Sequence, residues 1–136
     1  MDKNKLLASV PMFSGLDKSG LAQIAKLADE VDLPAGRKLL QQGDNPHEFF
    51  LIVDGSVRID IDGAQINTLG PGDFLGEIAL LDGGQRSATA TSVTPVSLLI
   101  LGRREFNTLL NEFPDIRTSV LMALAQRVRR LENTPD

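Results

Sequence analysis

A chain of 136 residues, 42% hydrophobic and 24% charged, has room for one compact domain and enough apolar side chains to bury a core. A net charge of −4 opposes long-range attraction to nucleic acid. The absence of cysteine and a single histidine, His47, exclude disulfides, thiolate sites and multi-histidine metal centres, so no metal is expected.

The start of the chain, Met1-Asp2-Lys3-Asn4-Lys5, has too short an apolar stretch behind it for a signal peptide. No apolar run approaches the ~20 residues of a membrane span. A cytoplasmic protein without membrane contact is expected. The first strong pattern is helical: Leu21, Ile24, Leu27, Ala28 and Val31 recur at three- and four-residue steps. Asp17 is the candidate N-cap, because its carboxylate can accept from backbone N–H groups left unpaired in the first turn. Pro34-Ala35-Gly36 ends the pattern.

The middle reads as short strands at 37–41, 48–53 and 56–62. In the third, Val57, Ile59 and Ile61 alternate with Arg58, Asp60 and Asp62, which predicts opposite faces. Gly43-Asp44-Asn45-Pro46, Asp54-Gly55, Asp62-Gly63 and Gly70-Pro71-Gly72-Asp73 are turn sequences at the spacing of an all-β barrel or sandwich. Residues 88–101 supply two more strands, bent at Pro95. Helix then returns. Phe106, Leu109, Leu110 and Phe113 form one stripe, ended by Phe113-Pro114-Asp115. A last helix is predicted from about Ile116 to Glu132. Its Leu121, Leu124, Val128 and Leu131 follow alternating steps of three and four, a seam suited either to its own domain or to a homodimer through this helix.

One stretch, from Gly72 to Ala90, reads neither as a strand nor as a long helix. Gly76 lets a ligand approach the backbone closely. Ile78 to Leu81 is about one helical turn, whose N-terminus offers N–H groups and partial positive charge to an anion. Gly83-Gly84 closes it, and Arg86 follows with a guanidinium suited to phosphate. Glu77 would repel phosphate, but it suits the hydroxyls of an attached sugar. Together these groups suggest a ribose phosphate.

Gly76-Glu77-Ile78-Ala79-Leu80 followed by Arg86-Ser87-Ala88 closely resembles the phosphate-binding cassette of cyclic nucleotide-binding domains. The order of helix, strands and two terminal helices is similar to that family over nearly the whole chain. Gly36, Gly43, Gly55 and Gly72 match its roll turns. Within the family the resemblance is to the ligand-binding half of the bacterial catabolite activators. It implies a mainly β fold with flanking helices: an antiparallel, jelly-roll-like β-roll with an N-terminal helix and two C-terminal helices, the last acting as a lid. Residues 1–136 would be a single such domain.

The resemblance also implies roles. Glu77 would accept from the ribose 2′-OH, and Arg86 would pair with the cyclic phosphate. Ser87 would bond a phosphate oxygen, beside backbone N–H groups near Gly76, Ile78 and Ala79, with Ala88 completing the cassette. Ile59, Ile66, Leu69 and Leu75 would line the pocket. Arg130 would approach Glu77, and Thr134 would reach toward the base. The expected ligand is cAMP, with cGMP as the alternative, since the Ser87 hydroxyl also suits the guanine amino group. No cofactor is expected.

The activators continue into a DNA-binding domain, so no nucleic-acid binding is expected of this chain alone. An effector protein of unknown identity is expected instead. Two other classes are weighed against this reading. A cupin-like enzyme lacks its metal ligands here, and there is no Gly-x-Ser-x-Gly elbow or P-loop. A non-binding interaction domain of the same fold would have no use for Glu77 and Arg86 together.

Overall fold

The computed structural model describes residues 3–8, 13, 16–45, 47–76, 85–86 and 88–132. A short helix α1 (Lys3–Ala8) precedes α2 (Lys18–Leu27). Asp17 caps α2 as the sequence predicts: its Oδ1 accepts from the Gly20 N–H at 2.8 Å. The predicted run through Val31 is corrected, because α2 ends at Leu27 and Asp29–Leu33 is strand β1. The spacing of Val31 fits a helix by coincidence. The chain there pairs antiparallel with a later strand instead, Val31 opposite Leu98.

The strands that follow are β2 (Lys38–Leu40), β3 (Glu48–Asp54), β4 (Val57–Ile61), β5 (Ala64–Leu69), β6 (Phe74–Leu75), β7 (Thr89–Ser92) and β8 (Val96–Gly102). They form two four-stranded antiparallel sheets, β1-β8-β3-β6 and β2-β7-β4-β5. Neighbours in space are rarely neighbours in sequence, so the chain passes repeatedly from sheet to sheet. This is the expected β-roll. Strands β1, β5 and β6 escape the sequence reading. β1 and β5 carry mostly exposed residues, and β6 has only two.

The run Glu48-Phe49-Phe50-Leu51-Ile52-Val53 shows why β3 is continuously apolar. Phe49 and Leu51 belong to a core formed with the helices, whereas Phe50 and Ile52 belong to the core between the sheets. A strand buried on both faces has no solvated face for polar residues. β8 divides the same way, with Leu99 and Leu101 toward the helices and Leu98 toward the roll.

β4 alternates as predicted only as far as Ile59. Val57 is buried, Arg58 exposed and Ile59 half-buried. Ile59 pairs with Asn67 but Asp60 pairs with Gln65, so Ile66 is an extra residue in β5, a β-bulge. Past it, Asp60 and Ile61 are both half-buried.

Helices α3 (Arg103–Glu112) and α4 (Pro114–Glu132) close the helical side. The predicted stripe on α3 is buried through Phe106, Leu109 and Leu110, with half-buried Phe113 at the C-cap. Pro114 opens the next helix, as expected of a residue lacking an N–H. Of the seam predicted on α4, Leu124 packs on this domain and Leu121 does not. Ile116 and Val120 are the buried residues, with Leu124 packed beside them, whereas Leu121 is 58% exposed. A four-residue step, not alternation of three and four, tracks the face that α4 turns to the core. The side chains of Val128 and Leu131 lie outside the described residues.

Phe106 anchors the helical core. It is fully buried, and its ring stacks on Phe49 with centroids 4.6 Å apart and planes 19° apart. Phe106→Ala is expected to lower the unfolding free energy by about 3–5 kcal/mol, as large-to-small aromatic substitutions in cores do. Urea unfolding of the two proteins measures the difference.

Candidate functional site

Arg86 is the centre of the candidate site. It is 7% exposed, one of two buried polar residues among those described, the other being Ser92. Its backbone is fixed by the β2–β3 connection. The Gly43 N–H donates to the Arg86 carbonyl at 2.9 Å, and the Arg86 N–H donates to the Asp44 carbonyl at 2.8 Å. Its side chain is fixed by two main-chain oxygens. Nη1 donates to the Gly76 carbonyl at 2.9 Å, and Nη2 to the Glu48 carbonyl at 2.6 Å. Burying a guanidinium is costly unless its donors are satisfied, and carbonyl dipoles stabilise it in place. A positive charge is thus held in a set position at the foot of the cassette.

Gly76 makes this packing possible. It follows β6 directly and has φ +90°, a conformation that side chains rarely adopt. A Cβ there would lie 2.7 Å from Arg86 Nη1 and 2.9 Å from the Glu48 carbonyl oxygen. The glycine therefore serves both the turn and the arginine. The turn glycines Gly36, Gly43, Gly55 and Gly72 share the left-handed conformation, so the punctuation of the roll is where the sequence places it.

The remaining predicted site residues divide into four groups. Ala88 is half-buried just before β7. Leu69 and Leu75 are buried in the core between the sheets, and Ile59 packs beside them. Ile66, displaced by the bulge, is 56% exposed. Glu77, Ile78, Ala79, Ser87 and Thr134 lie outside the described residues, as does the side chain of Arg130, whose backbone belongs to α4.

Sequence reasoning missed Glu48, Gly43 and Asp44, which act through backbone groups and leave no mark in residue type. Two surface depressions lie elsewhere. One, of about 360 Å³, lies between α2 and the α3–α4 elbow, and the other, of about 510 Å³, lies along α3. Neither has Arg86 in its lining. Among the described residues no group of three His, Cys, Asp or Glu side chains is placed to hold a metal. No helix among them is long and apolar enough to cross a membrane.

Two antiparallel sheets closed by helices, with a buried arginine set against a glycine turn, define a β-roll with a built cationic site. The family model for the cyclic nucleotide-binding domain matches residues 30–113, and the chain belongs to that family. It is 30% identical to a CRP-like cAMP-activated global transcriptional regulator of Mycobacterium tuberculosis over 135 residues, covering 96% of this chain and 60% of the regulator. Its fold matches the crystal structure of the Thermus thermophilus catabolite activator protein with a TM-score of 0.79 and 31% identity, over 90% of this chain and 60% of that one. It also matches the regulatory subunit of a cAMP-independent protein kinase A from Trypanosoma brucei, with a TM-score of 0.80 and 25% identity, over 90% of this chain and 44% of that one. The chain thus spans less than two-thirds of each of these relatives. The family is one of regulatory binding domains, not of enzymes.

Gly76→Ala is expected to lower stability by about 1–3 kcal/mol through the strained turn and the displaced arginine. Gly70→Ala is the control, because its added methyl meets nothing within 4 Å. It should stay within about 0.5 kcal/mol of the parent. Thermal and urea unfolding of both variants check the contrast.

Proposed function

We propose that residues 1–136 act as a single cyclic nucleotide-binding sensor domain, with cAMP as the expected ligand and cGMP as the alternative. The observation that carries this reading is the buried Arg86, held by the Gly76 and Glu48 carbonyls at the turn where the cassette begins. A cyclic phosphate would pair with that guanidinium. Glu77 would accept from the ribose 2′-OH, with Ser87 and the N–H groups at 76, 78 and 79 completing the phosphate shell. The binding energy would act on α4. Arg130 and Thr134 would approach the ligand from that helix and its end, and α4 would repack as a lid to signal to an effector protein. A ligand shifts such an equilibrium only by its different affinity for the two helix arrangements.

A second reading is a fold kept for interaction with its nucleotide site unused. The fold shared with a kinase subunit described as cAMP-independent favours it, because the roll alone does not dictate the ligand.

Calorimetric titration of nucleotide-stripped protein with cAMP and then cGMP separates the two readings. Saturable binding at one site per chain is expected. Arg86→Ala should weaken it by about 2–5 kcal/mol, as removal of one partner of a buried charge pair does. The variant must first be shown folded by circular dichroism, because Arg86 also bonds the Gly76 and Glu48 carbonyls. Absence of heat with both nucleotides from folded wild-type protein would favour the interaction domain.

Amide hydrogen exchange tests the lid separately. Exchange should slow across residues 115–132 on binding, and unchanged exchange there would remove α4 from the mechanism.

A further inference from the structure

The tip of the β4–β5 hairpin is held from outside the hairpin. Its two-residue loop, Asp62-Gly63, has positive φ at both positions, 52° and 81°. Aspartate tolerates that conformation, and Asp-Gly closes a two-residue turn unaided. The tip nevertheless carries a two-way clamp to Gln42, two residues beyond the end of β2. The Asp62 N–H donates to Gln42 Oε1 at 2.9 Å, and Gln42 Nε2 donates to Asp62 Oδ1 at 3.0 Å. A backbone N–H only donates, so the orientation of the Gln42 amide is fixed. The turn does not need this clamp, and the residue that the clamp positions is Gln42.

Gln42 is half-buried and is also held through its main chain, whose N–H donates to Thr89 Oγ1 at the start of β7 at 3.0 Å. The next two residues, Gly43 and Asp44, make the pair of backbone bonds that fix Arg86. Residues 43–45 are exposed, and a Cβ at Gly43 would meet nothing within 4 Å, so packing does not hold this connection. It is anchored by a turn bond from the Asp44 N–H to the Gln41 carbonyl and by the three bonds of Gln42.

We propose that Gln42 is a positioning residue for the anion site. It ties the β4–β5 tip and β7 to the connection that holds Arg86, so that the guanidinium meets a ligand phosphate in one set geometry. This deepens the reading of the chain as a cyclic nucleotide sensor and rests on it. Gln42 acts through the backbone of Arg86 and not on the ligand.

Exchange of amide and carboxylate between positions 42 and 62 is the test. Gln42→Glu keeps the side-chain volume but sets two carboxylates together, which repel. Asp62→Asn alone keeps an oxygen to accept from Gln42 and a residue suited to positive φ. The two substitutions combined restore a donor and an acceptor with their roles reversed. Two readouts apply to variants shown folded by thermal melting: cAMP and cGMP affinity by calorimetry, and hydrogen exchange of the Gly43 and Arg86 amides by NMR. Gln42→Glu should weaken nucleotide binding and speed exchange at those two amides, each by about tenfold. Asp62→Asn and the double variant should stay within about twofold of wild type in both. Ser97→Ala removes a bond of 2.7 Å to Asp32 in the other sheet and should change neither. Unchanged affinity and exchange in Gln42→Glu, or a loss that the double variant does not restore, overturns the role of Gln42. If wild-type protein binds neither nucleotide, the sensor reading fails and the exchange data decide alone: acceleration that the double variant reverses keeps Gln42 as the residue that positions Arg86, and unchanged exchange removes it.

Discussion

The paired strands β3 and β8 carry apolar side chains on both faces, and that forces two coverings at once. One face must be closed by a second sheet and the other by helices, because neither can be left in water. The second sheet supplies the roll interior around Phe50, Ile52 and Leu98. Helices α2, α3 and α4 cover Phe49, Leu51, Leu99 and Leu101. The two cores are thus separated by a single layer of backbone. A shift in packing on one side is felt on the other through the same two strands, which is a physical basis for linking a site in the roll to the helices.

Arg86 lies at that shared layer. The Glu48 carbonyl that holds its guanidinium belongs to the first residue of β3. The preceding residue, His47, accepts through its carbonyl from the Arg103 N–H at 2.9 Å, at the start of α3. Two adjacent peptide units therefore connect the cationic centre to the first turn of a helix. No side chain other than that of Arg86 takes part in these contacts.

Much of this was legible in the sequence because it was written in side-chain type. Phe106, Leu109 and Leu110 declared a buried helix face, Asp17 a cap, and the glycines at 36, 43, 55 and 72 the turns. Gly76 and Arg86 stood out in the sequence because a glycine suits close backbone approach and an arginine suits an anion, and the structure brings those two together. What escaped was set by pairing across the sheets. β1 and β5 are edge strands with mostly exposed side chains, so no apolar run marks them. The contribution of Glu48 is a carbonyl that any residue would supply. On α4 the periodic template marked Leu121 beside Leu124, whereas the core of this domain takes Ile116, Val120 and Leu124. Periodicity reports that a helix has a buried face, but its neighbours decide which of two overlapping stripes is buried.

The bulge in β5 has a further consequence for how copies of this chain meet one another. β5 is an outer strand, and an outer strand with an unbroken ladder invites another chain to pair along it. The extra residue at Ile66 interrupts the regular spacing of backbone donors and acceptors and twists the strand locally. Only short stretches to either side keep the periodicity that a foreign strand needs. The irregularity thus protects this outer edge of the second sheet against pairing with another copy.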